Sequence, residues 1–186
     1  MKISTLTGVI PSLLGALFLA ILSTFGDWIW EHFIPNGKMI HGVVHGAVIF
    51  AAIGLVLGWT AGNRSAVVRG ISLQSLIGIG ISASFYPLYR LVGGVSLFLT
   101  WAALWLLTGL LYRHLAGAPW SRFEALARGG AAALLSGLAF WSISGIWTDP
   151  SPTGPNYLFH LLSWFWAFLP GFGALYCRFE NEPHLR

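Results

Sequence analysis

His41 and His45 stand four residues apart, a spacing that puts both imidazoles on one face of a helix. His160 lies near the matching end of the last apolar stretch, and Asp27, Glu31, His32 and Asp149 fall where hydropathy reads loops on that same side. Three imidazoles with a carboxylate could hold zinc and activate water, the chemistry of an intramembrane hydrolase. Against this, His41 is within a turn of Lys38 and can reach the membrane interface. Gly42 and Gly46, beside the histidines, also mark a place where another backbone can come close. The balance favours interfacial hydrogen bonding, so no catalytic residue, metal or cofactor is expected. A metal-dependent lipid hydrolase built on His41, His45 and His160 stands as the alternative.

Other polar residues at depth are few: Gln74, Ser75, Ser82, Thr100, Ser136, Ser142 and Ser144. Each serine or threonine can bond the carbonyl one turn back in its own helix. An amide in hydrocarbon needs a partner from elsewhere, which makes Gln74 the first candidate for a cavity polar group. No glycine-rich phosphate loop, cysteine pair or acidic residue within a span is present, which argues against nucleotide, redox and proton-coupled functions.

These residues must be positioned by six apolar stretches, which run over approximately 6–25, 39–60, 67–88, 94–112, 126–147 and 157–177. Each is close to the ~20 residues a helix needs to cross the hydrocarbon core. With 56% hydrophobic and 9% charged residues in a chain of 186, a soluble domain is excluded and one transmembrane domain over 1–186 is expected. The single Cys177 permits no intrachain disulfide. The first stretch follows Lys2 but ends in Ser23-Thr24-Phe25-Gly26-Asp27 with no cleavage pattern, and it reads as a span rather than a signal peptide.

Positive charge sorts between the connections. Lys2, Arg64, Arg69, Arg113, Arg122, Arg128, Arg178 and Arg186 lie at the termini and even-numbered loops, against Lys38 and Arg90 in the odd ones. The positive-inside rule then places both termini in the cytoplasm. The net charge of +4 needs no nucleic-acid partner, because the basic residues lie where anionic headgroups are. Trp28, Trp30, Trp59, Tyr112, Trp120 and Trp147 fall at span ends as interfacial anchors.

Helices in lipid meet through small residues. Ala47, Ala51, Gly54 and Gly58 form such a face, as do Ser75, Gly78 and Ser82, and Gly130, Ala133 and Gly137. An unused face of this kind would suit a homo-oligomer. Trp30, Pro35, Gly37 and His41 echo Trp147, Pro152, Gly154 and His160, the one hint of a repeat and of a small transporter, a second alternative.

The fourth span, Ser96-Leu97-Phe98-Leu99-Thr100-Trp101-Ala102-Ala103-Leu104, followed by Arg113-His114, resembles the Leu-Thr-x-Ala-Ala-Leu span of the Insig family. Ser65-Ala66-Val67-Val68-Arg69 and Gly78-Ile79 resemble the start of that family's third span. Pro155-Asn156-Tyr157-Leu158-Phe159, Ser163-Trp164 and Gly171-x-Gly173 resemble its sixth. The likeness covers roughly residues 64–178. It implies six helices without catalytic activity, enclosing a cavity open to the bilayer. Eukaryotic members bind oxysterols, retain Scap and promote degradation of HMG-CoA reductase; prokaryotic relatives hold a diacylglycerol-like lipid. Arg113 stands where eukaryotic members place an Asp tied to Scap binding, and Gly80-Ile81 replaces their Asn-His pair. Reversed charge at position 113 would repel a partner adapted to the acid, so a Scap-like partner is not carried over.

The expectation is therefore an all-α, polytopic, six-span membrane protein that binds a diacylglycerol- or sterol-like lipid and acts as a lipid sensor or regulator. Trp101, Phe140, Trp141 and Trp164 would supply apolar walls, and Gln74, Ser82 and Thr100 the hydrogen bonds that orient a head group. The membrane would be the inner membrane of a prokaryote or the ER of a eukaryote, the short termini and Ala/Arg-rich fourth loop favouring the former.

Overall fold

A computed structural model describes residues 6–33, 38–148 and 156–176, except the side chains of 6, 7, 30, 31, 38, 39, 41 and 140–148. Six helices follow one another: α1 (Leu6–Phe33), α2 (Lys38–Thr60), α3 (Arg64–Val92), α4 (Val95–Ala116), α5 (Arg122–Thr148) and α6 (Tyr157–Tyr176). No strand occurs among the described residues. A helix satisfies its backbone polar groups internally, which is what an apolar solvent demands. Where the helices end, side chains and glycines take over. Asn63 caps α3 by accepting from the Ala66 amide at 2.7 Å, and Gly117 closes α4 at a φ of 58°.

Five helices, α1, α2, α3, α4 and α6, are long and apolar enough to cross a membrane, which by length and composition makes this an integral membrane protein. In α5 the described side chains end at Ala139, and its first two turns carry Arg122, Glu124 and Arg128. Arg128 is nonetheless buried. It bonds Glu124 at 2.9 Å and lies 4.1 Å from the Trp120 ring centroid, so its charge is met by an acid and a π-face.

Consecutive helices run antiparallel and touch in sequence order, and α6 closes the ring on α1. Gly8 of α1 lies against the Tyr176 carbonyl at one end of the bundle, and Asp27 meets His160 at the other. Trp105, Phe168, Phe172, Leu19, Ile53 and Leu57 fill the centre. Outside, Ile10, Leu14, Phe18, Ile21, Leu134, Leu138, Leu158 and Trp166 are exposed, the apolar coat expected of helices solvated by lipid.

α2 and α3 make the broadest contact. A Cβ at Gly54 would collide with the Gly70 carbonyl, one at Gly58 with the backbone of Val67, and one at Gly78 would come within 2.5 Å of Phe50. Gly54, Gly58 and Gly78 belong to the small-residue faces expected to make helix contacts, though not to this seam in particular; Gly70 was not among them. In α5 the expected seam shifts by one residue. Gly129 touches α4 at Trp105 and Leu106, whereas Gly130 has only one distant neighbour.

α1 corrects the sequence reading most. It continues eight residues past the expected end at Phe25, and the candidate span Gly8–Ile29 includes Asp27. Trp28 and Ile29 prolong the apolar face, and no proline or glycine stands between Asp27 and Pro35. Asp27 and His32 are therefore helical, not loop residues, and Asp27 falls within the candidate span.

Candidate functional site

A pocket of about 310 Å³ opens among α2, α3, α4 and α6. α3 supplies Ile81, Ser82, Phe85 and Tyr86, two adjacent pairs one helical turn apart. α4 faces them with Leu97, Thr100, Trp101 and Leu104, at the same helical spacing. Gly42 and Phe50 of α2 and Trp164 of α6 complete the lining. Leu97 is exposed, which places it at the lipid-facing rim.

The rear wall is aromatic and rigidly held. Trp164 stacks on Phe168 with centroids 5.6 Å apart, and Phe168 lies 6.0 Å from Trp101. Trp101 donates its indole N–H to Ser136 Oγ at 3.1 Å, and the Ser136 hydroxyl in turn donates to the Ala167 carbonyl. One chain of bonds thus joins α4, α5 and α6 and fixes how Trp101 presents its face. Trp164 donates its N–H to Asp27 Oδ2 of α1 at 3.1 Å.

The polar groups differ in what they leave for a ligand. Thr100 donates to the Ser96 carbonyl of its own helix at 2.8 Å, so its oxygen remains as an acceptor. Ser82 Oγ occupies the notch left by Gly46 and makes no hydrogen bond with any described residue. The Tyr86 hydroxyl lies 3.0 Å from where a Gly42 Cβ would be, so this glycine admits the phenol.

Of the residues expected around a cavity, Ser82, Thr100, Trp101 and Trp164 come together here. Gln74 does not. It is fully buried two turns below Ser82 and donates its amide N–H to Thr108 Oγ1 of α4 at 2.7 Å, the partner that hydrocarbon burial required. Its Oε1 is buried without a hydrogen bond. The side chains of Phe140, Trp141 and His41 lie outside the described residues. His45 and His160 do converge, on Asp27 rather than on each other's helix face, and no three His, Cys, Asp or Glu among the described residues are placed to share a metal ion.

Tyr86, Phe85, Phe50 and Leu97 were not anticipated in the pocket. Tyr86 was within reach of the sequence, since it follows Ser82 by one turn on a helix whose other polar residues are few. No family model, curated protein or solved structure matches the chain. The site therefore rests on its own geometry.

Proposed function

We propose that this protein is a non-enzymatic, Insig-like lipid binder with six spans and both termini cytoplasmic, holding part of a diacylglycerol- or sterol-like membrane lipid in the pocket among α2, α3, α4 and α6. The observation that carries the reading is the pairing of an aromatic wall with a hydroxyl that bonds no described residue, Ser82, in a pocket rimmed by the exposed Leu97. A volume near 310 Å³ is at the lower end for small-molecule sites. It suits one chain or one compact ring system rather than a whole two-chain lipid. An apolar body would lie on Trp101 and Trp164, and a hydroxyl or ester would meet Ser82, Thr100 and Tyr86. The six-span arrangement is supported by the antiparallel ring, which brings residues 8 and 176 to one end, and by the sorting of Lys and Arg.

Native mass spectrometry of the detergent-purified protein, with lipid extraction and metal analysis of the same sample, tests this. A retained neutral lipid without metal is expected. Leu97→Trp, which plugs the rim from an exposed position, should cut the lipid retained at least several-fold without changing helix content. Equal retention by wild type and Leu97→Trp would remove the pocket as the lipid site, and stoichiometric zinc would favour the hydrolase.

A further inference from the structure

α1 carries a carboxylate into the bundle, and imidazoles from two other helices converge on it. His45 Nε2 of α2 is 4.0 Å from Asp27 Oδ1, and His160 Nδ1 of α6 is 3.8 Å from Asp27 Oδ2. Gly26 makes the approach possible, because a Cβ there would come within 2.7 Å of the His45 ring. All three groups lie in candidate spans, where ionisable side chains are costly and occur in mutual pairs along ion and proton routes. The cluster is mostly enclosed, with side-chain exposures of 26% for Asp27, 16% for His45 and 18% for His160. The next titratable groups facing it among the described residues are Tyr157 of α6, whose ring is 6.0 Å from that of His160, His32 of α1, 6.5 Å from Tyr157, and Tyr86 of α3 beside Gly42.

The charge count selects a ligand. With both imidazoles neutral the cluster carries one net negative charge, and with both protonated one net positive charge. Only with a single added proton is it neutral, and a low-dielectric interior disfavours either net charge. Trp164 carries the state of the cluster outward, because its N–H bonds Asp27 and its ring lines the pocket. Neutralising the carboxylate weakens a charge-assisted bond that sets the indole in place.

We propose that Asp27, His45 and His160 form an intramembrane binding site for one proton, and that the Asp27–Trp164 hydrogen bond couples its occupancy to the wall of the pocket. This reopens proton-linked function, which a span without an acid would have excluded. The site does not depend on the pocket holding a lipid. If a ligand does press on Trp164, proton and ligand must affect each other's binding reciprocally.

The test is NMR of the full-length protein in detergent micelles with ¹³C-labelled histidine rings and ¹⁵N-labelled tryptophan indoles, titrated with acid. His45→Gln, His160→Gln and Trp164→Phe assign the three signals. In the wild type, the two ring signals and the Trp164 indole should move with one common midpoint. Asp27→Asn should abolish the common midpoint and leave the indole unresponsive, while Asp27→Glu, which keeps the charge, should retain a common titration. Independent histidine midpoints in the wild type, or an indole that does not move with them, would overturn the proposal. The wild-type measurement decides this even if a variant fails to fold.

Discussion

The amide of Gln74 and the hydroxyl of Thr108 join α3 to α4 in the centre of the bundle, and losing either leaves a buried polar group on the other helix. Thr108→Val keeps the shape and removes the acceptor, so it should destabilise the protein by about 1–2 kcal/mol. Gln74→Leu combined with Thr108→Val should cost less than the sum of the two singles, a coupling that a double-mutant cycle in chemical unfolding would measure. Because Gln74 lies outside the pocket, Gln74→Leu should leave lipid retention unchanged; a loss of lipid would return it to the site. The residue type announced that Gln74 must find a partner. Nothing in the sequence told which way its helix turned, because in lipid the inward and outward faces can be equally apolar. Ser82, Thr100, Trp101 and Trp164 line one pocket because they fall at one depth on faces that turn toward each other. The carboxylate of Asp27 was misread because charge was taken to end a span.

At the scale of helices, the α2–α3 seam depends on backbone touching backbone. Gly54→Ala forces a methyl group into the Gly70 carbonyl and should cost about 1–3 kcal/mol, as overpacking does. Gly80→Ala, on the same pair of helices but with open space around it, is the control and should be near neutral. Thermal unfolding in detergent distinguishes them, and equal effects would mean that the helices do not meet as closely as described. The helices were legible as apolar stretches, and small-residue spacing located much of this seam. Helix ends were less legible, because α1 runs on to Phe33 through Asp27, where charge had been taken to end the span.

For the whole molecule, alternating antiparallel helices require that successive turns face opposite sides of the bilayer. In a Cys177→Ser background, cysteines placed at Gly62 and Gly93 should react with an impermeant reagent from opposite sides. Gly62 is expected in the cytoplasm and Gly93 outside. Cysteines at Gly117 and Asn156 ask the same of α5. Labelling of Gly117 and Asn156 from one side would make α5 a helix that does not cross. Charge sorting alone gave this orientation, whereas closure of the ring between α1 and α6 had no signal in hydropathy at all.

That closure sets an order of assembly. A ribosome delivers α1 before α6, so the carboxylate on α1 obtains His160 and Trp164 only when α6 arrives. Until then Asp27 must remain near the aqueous channel of the insertion machinery, or borrow His45 from α2 as its sole companion. The arrival of α6 therefore completes the surroundings of the α1 carboxylate, and a nascent chain stalled before α6 would lack two of the groups that meet it.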